Sequence, residues 1–107
     1  MSYFYTMIVY NVSLNIDDSV KDAWVKWMQE THIPQVMETG MFQSHHFFEL
    51  LTRQEDETGT TFVVQYFAPD MEAYERYQRE FAPALQAETR RLFEGKFHAF
   101  RSLMKKV

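Results

Sequence analysis

The feature that most constrains this chain is the order in which its hydrophobic period changes. From residue 5 to residue 16, Ile8, Tyr10, Val12, Leu14 and Ile16 alternate with Met7, Val9, Asn11, Ser13 and Asn15. A period of two in β-branched and aromatic residues belongs to a strand. Val20, Trp24, Trp27, Met28 and Thr31 then recur at helical spacing, with Lys21, Asp22, Lys26, Gln29 and Glu30 on the opposite side. Such a stripe marks an amphipathic helix. Asp17 and Asp18 offer it a cap and a favourable charge. Pro34 has no N–H for the helical ladder, so a break or kink is expected across residues 32–34, then a short helical turn through Met37 closed by Gly40.

Residues 41–51 read as a second strand, with Phe42, Ser44, His46, Phe48 and Leu50 on one side and Gln43, His45, Phe47, Glu49 and Leu51 on the other. The charged stretch 52–59 is a hairpin loop, and residues 60–68 return as a strand. Pro69 and Asp70 open a second helix, with a stripe of Tyr74, Tyr77, Phe81, Ala84, Leu85 and Leu92 and a kink at Pro83. A turn at residues 94–96 leads into the last strand, residues 97–104.

The resulting order is βαββαβ, the ferredoxin-like pattern of the α+β class. Right-handed crossovers place both helices on one face of a four-stranded antiparallel sheet, in the order 4-1-3-2. With 107 residues, the whole span 1–107 is expected to be one domain. Trp24, Trp27, Tyr77, Phe81 and Leu85 are expected in the core between helices and sheet. The strands carry large apolar residues on both faces, as Phe47 and Phe48 show side by side, and aromatic residues make up 17% of the chain. A sheet face without helices would then expose more apolar surface than the roughly 300–600 Å² patch usual on a monomer. A homodimer with the two open faces together is the expected remedy.

Several separated motifs carry a family resemblance. Residues 24–28 (WVKWM), 32–34 (HIP) and 40–42 (GMF) resemble the first helix and second strand of dimeric α/β-barrel proteins. Residues 61–66 (TFVVQY), 82–85 (APAL) and 93–101 (FEGKFHAFR) are similar to one group within them, a domain-of-unknown-function family of short bacterial proteins. The resemblance covers essentially the whole chain and implies a dimeric α/β barrel. The wider superfamily includes small monooxygenases, haem-binding chlorite-dismutase-like enzymes, EthD-like proteins and stress-responsive barrel proteins. Fold alone does not choose among these.

Composition narrows the chemistry. No cysteine occurs, which removes thiol nucleophiles and Cys-ligated zinc. The net charge of −4 argues against nucleic acid. No apolar run reaches the ~20 residues of a membrane span, and a cytoplasmic location is expected. Nucleotide-cradle and common hydrolase motifs are missing. His45 and His46 are adjacent on a strand, point to opposite faces and cannot chelate one ion together. His32 or His46 would be the axial candidate for a haem, but the expectation is no metal and no cofactor. Arg90 and Arg91, answered by Glu88 and Glu94, read as a solvated helix end.

The candidate ligand-binding residues are His32, Trp27, Tyr77, Asn11, Gln65 and Arg101. His32 stands beside the Pro34 interruption, where it either caps the following turn or points between helix and sheet. Trp27 and Tyr77 belong to the aromatic stripes. Asn11, Gln65 and Arg101 are mid-strand polar residues opposite apolar ones, and on neighbouring strands are expected to form one row. Catalytic residues are not assignable. Two readings stand: a small non-enzymatic homodimer that takes up a small apolar or aromatic ligand, and a cofactor-independent monooxygenase-like enzyme acting on an aromatic substrate in the helix–sheet cavity.

Overall fold

Strand β1, Ile8–Ile16, buries every second residue, and the five that go inward are Ile8, Tyr10, Val12, Leu14 and Ile16. The computed structural model describes residues 7–107. Tyr5 and Thr6, assigned above to the first strand, lie outside them. Strand β3, Thr60–Ala68, has the same alternation, with Phe62, Val64 and Tyr66 inward. With β2 (Ser44–Glu49) and β4 (Phe97–Lys105) they form one antiparallel sheet in the order β2-β3-β1-β4, the 4-1-3-2 arrangement read in reverse. The fold is ferredoxin-like α+β, as the order of periods requires.

The first helical stretch starts with a short 3₁₀ turn, Asp18–Val20, where Asp17 accepts from the Ser19 N–H at 2.9 Å. Helix α1, Lys21–Trp27, follows. Of the break or kink expected at residues 32–34, the structure shows no break. A π turn, Met28–His32, runs directly into helix α2, Ile33–Glu38. The Ile33 N–H reaches the Met28 carbonyl, five residues back. Pro34 cannot donate to the Glu30 carbonyl and its ring would crowd that group in an α turn. A widened turn accommodates both facts while the chain stays helical. The buried stripe therefore runs Trp24, Met28, Ile33, Val36, and Thr31, expected on it, is exposed. Gly40 closes α2 at φ 76°, its N–H bonded to the Met37 carbonyl.

The second strand is shorter than expected. Residues 41–43 are irregular, and Phe42 turns into the core against Tyr66 and Tyr77 instead of sharing a face with Phe48. Phe48 is half exposed on the other side of the sheet. Gly59 ends the following loop, where a Cβ would lie 2.6 Å from the Ile16 carbonyl oxygen. Helix α3, Met71–Glu80, is capped by Asp70, which accepts from the Ala73 N–H at 2.8 Å. Helix α4, Ala82–Phe93, follows after an interruption at Phe81, one position before the turn that holds Pro83. The interruption resets the buried face of the second half to Ala82 and Thr89, so Ala84 and Leu92, expected inward, are exposed.

The core lies between the helices and one sheet face. Trp24 is fully buried and packs on Phe47 and Phe62. Tyr77 is buried, and Trp27, Phe81 and Leu85 pack partly buried against the same cluster. The opposite sheet face has no helix on it among the described residues. Its residues include Val9, Val63, Phe67, Phe48, Phe100 and Met104, related by the register of the four strands.

Candidate functional site

The arrangement of core tyrosines follows from strand parity. Tyr10 and Tyr66 are register partners on β1 and β3, both on the helix-covered face, with ring centroids 6.1 Å apart. Tyr77 of α3 lies over them, 5.9 Å from Tyr10. On β4, Arg101 is the register partner of Val12 and therefore shares that face. Its Nε donates to the Tyr10 hydroxyl at 3.1 Å. These groups, with His32 from the π turn, line a cavity of about 310 Å³ between the helices and the β1–β4 half of the sheet. Val12, Val64 and Met28 supply its buried apolar wall, and the exposed Arg90 and Arg101 stand at its mouth.

Two buried polar atoms in this wall have no hydrogen-bond partner among the described residues: the Tyr66 hydroxyl and His32 Nδ1. A buried orphan polar atom costs on the order of 1–3 kcal/mol, and native proteins keep few of them. The third such atom among the described residues, Trp24 Nε1, belongs to the aromatic packing against Phe47 and Phe62 and not to the cavity wall.

Burial sets the charge states. It pushes the His32 imidazole down to about 4, so the ring is neutral at pH 7. It pushes the Tyr66 and Tyr77 phenols well up, with the neighbouring tyrosines adding to the effect. Tyr10 is also raised by burial, against the opposing pull of the Arg101 guanidinium. At neutral pH the buried part of the wall therefore offers the neutral phenols of Tyr66 and Tyr77 and the neutral imidazole of His32. No carboxylate bonds to Nδ1, so the ring has no anionic partner on that nitrogen to strengthen it as a base.

The six sequence candidates separate. His32, Tyr77 and Arg101 meet at the cavity. Trp27 stacks on His32, with centroids 4.9 Å apart and planes 26° from parallel, and also packs on Phe93 at 5.3 Å. It holds the imidazole rather than lining the space. Asn11 and Gln65 are register partners on the open face. The expected row of Asn11, Gln65 and Arg101 does not exist. Asn11 and Gln65 alternate with core residues and so point away from the helices, whereas Arg101 alternates with Phe100, which is itself on the open face and 78% exposed. An apolar neighbour is no guide to the core side when both faces are apolar. Sequence reasoning also missed Tyr10 and Tyr66 as site residues, since it counted them simply as strand core. Their hydroxyls, on the covered face at mid-strand, were the available signal. Arg90, read as part of a solvated helix end, reaches the mouth.

Comparison with known proteins gives a family and a fold. A family model described as "Domain of unknown function (DUF4286)" matches residues 7–107. No curated protein matches the chain. An EthD-family protein of Bacillus halodurans has a similar structure at TM-score 0.70 and 12% identity, covering 94% of this chain and 99% of its own. A hypothetical protein of Arabidopsis thaliana matches at TM-score 0.68 and 13% identity, over 100% of this chain and 96% of its own. The cofactor-independent oxygenase SnoaB of Streptomyces nogalater matches at TM-score 0.61 and 10% identity, over 95% of this chain and 94% of its own. At such identities the likeness concerns the fold.

Proposed function

The chain belongs to the DUF4286 family, and from that premise we propose that it is a cytoplasmic homodimer whose helix–sheet cavity binds a small, mainly aromatic molecule carrying a hydrogen-bonding group. The observation that carries this reading is the pair of orphaned polar atoms, Tyr66 Oη and His32 Nδ1, in a wall that also holds the apolar Val12, Leu14, Met28 and Val64 and the polar Gln86, Thr89 and His98. Sites for small molecules have this composition: apolar surface with a few convergent polar groups. A neutral imidazole nitrogen accepts a hydrogen bond, and a phenol donates one. A ligand hydroxyl would relieve both.

Dimerisation rests on the open sheet face, where Phe48 and Phe100 are 50% and 78% exposed. Pairing two copies of that face covers both patches with one symmetric contact. Catalysis by a cofactor-independent oxygenation is the second reading, favoured by the presence of His32 in the wall. The low basicity of that imidazole and its lack of an orienting carboxylate weigh toward binding.

The test is calorimetric titration with 2-naphthol, monitored in parallel by tryptophan fluorescence, since Trp27 stacks on His32. Saturable binding to the native protein, weakened several-fold in Tyr66→Phe, is expected. The same variant removes an orphan hydroxyl and should leave the ligand-free protein as stable or about 1 kcal/mol more stable. Absence of binding would contradict the proposal. Oxygen uptake with a turned-over phenol would move the assignment to the enzyme.

A further inference from the structure

The cavity mouth differs in charge from the rest of the molecule. The chain carries 15 acidic and 11 basic residues. None of the residues lining the cavity is acidic, yet two arginines, Arg90 of α4 and Arg101 of β4, stand there. Neither makes an ion pair among the described residues, where the ion pairs are Arg76 with Glu80 and Arg91 with Glu88. The contrast between Arg90 and Arg91 is informative. Adjacent on one helix, one is neutralised by Glu88 through two contacts of 2.6 and 3.1 Å, and the other is left bare beside the cavity. Arg101 is tethered through Nε to Tyr10, which fixes the guanidinium and leaves its terminal N–H groups free to donate.

From these observations we infer that the ligand is an aromatic acid, bound with its ring among Tyr10, Tyr66 and Tyr77 and its carboxylate at Arg90 and Arg101. The inference rests on the binding reading above and adds the ligand's chemical class. Two guanidinium groups beside apolar walls concentrate positive potential at the opening. An anion there gains charge-assisted hydrogen bonds, and the planar donor fork of arginine matches the two oxygens of a carboxylate. The interior has no such donor set: its phenols and imidazole are neutral, so the charged end stays at the mouth. An alcohol of equal shape gains none of the ionic contribution.

The experiment is a paired calorimetric titration of the full chain with 2-naphthoate and with 2-naphthylmethanol, a neutral analogue of similar shape. The inference predicts at least tenfold tighter binding of the carboxylate at low salt. That preference shrinks at high salt and falls several-fold in Arg101→Gln and in Arg90→Gln, whose exposed side chain makes removal safe for folding. Arg76→Gln, at the ion pair on α3, leaves the preference unchanged. Equal affinity for the two probes, or a preference that survives in Arg90→Gln and in high salt, overturns the inference and leaves the cavity reading standing. Failure of both probes to bind overturns the cavity reading, and the inference with it.

Discussion

His32 has a largely buried imidazole whose Nδ1 has no hydrogen-bond partner among the described residues. In the unfolded chain it titrates near 6.5, and in the folded protein near 4. Between those values the unfolded state binds a proton that the native state refuses, so stability rises with pH across this window. Acidification from pH 7 therefore costs stability progressively below about 6.5, and the loss from this residue is complete near 4. The ring is partly exposed, so the contribution is on the order of 2 kcal/mol rather than the full value for a sealed site. His32→Gln should flatten the urea midpoint between pH 4 and 6.5 relative to the native protein, which denaturation at stepped pH would measure. An unchanged slope in the variant would mean that the imidazole is solvated. Tyr66 behaves alike without charge: its hydroxyl destabilises the empty protein and helps only when something bonds to it.

At the scale of the element, the π turn decides where His32 points. The buried residues step by four from Trp24 to Met28, by five to Ile33 and by three to Val36. The step of five is the width of the π turn. Removing one exposed residue inside it, Gln29, would make that step four and force an α turn in which the Pro34 ring crowds the Glu30 carbonyl. Trp24, Met28 and Ile33 would stay on the core face, while His32 moves one position closer to Met28 and rotates relative to the cavity. The deletion should keep most of the helical circular dichroism, cost about 3 kcal/mol through that clash, and bring the His32 titration measured by NMR back up toward 6.5. A titration left near 4 would show that the turn is not what buries the ring. Proline and stripe were both visible in the sequence, and they placed an irregularity at residues 32–34, just after the π turn that Met28–His32 forms. Its form was not legible, because a broken helix and a widened one satisfy the same missing N–H. The alternation of β1 and β3 was readable to the residue, since the covered face is consistently apolar. On β4 it was not, for Phe100 and Arg101 reverse the usual meaning of apolar and polar. Only the register Val12 to Arg101 resolves them.

For the whole molecule, the order of periods determined the sheet, while the cavity depends on contacts between distant segments. Arg101 and Tyr10 are 91 residues apart, and no local pattern announces that they touch. The open face is the other global feature. It was foreseeable from Phe47 beside Phe48, which cannot both enter one core. Phe100→Asp places a charge in the middle of that apolar surface, at a side chain 78% exposed in the single chain. Sedimentation should then change from dimer to monomer, with native circular dichroism retained because the helix-side core is untouched. A native protein already monomeric at micromolar concentration would contradict the proposed pairing.

In the binding reading proposed above, a small aromatic molecule enters between the helices and the sheet and meets His32 and Tyr66. A titration of 2-naphthoate followed through the side-chain NMR resonances of the protein tests this most directly. Saturable shifts of the His32 imidazole and of the Tyr10, Tyr66 and Tyr77 rings are expected, with the Phe48 and Phe100 rings of the open face unmoved. Shifts confined to Phe48 and Phe100, or none at all, would contradict it.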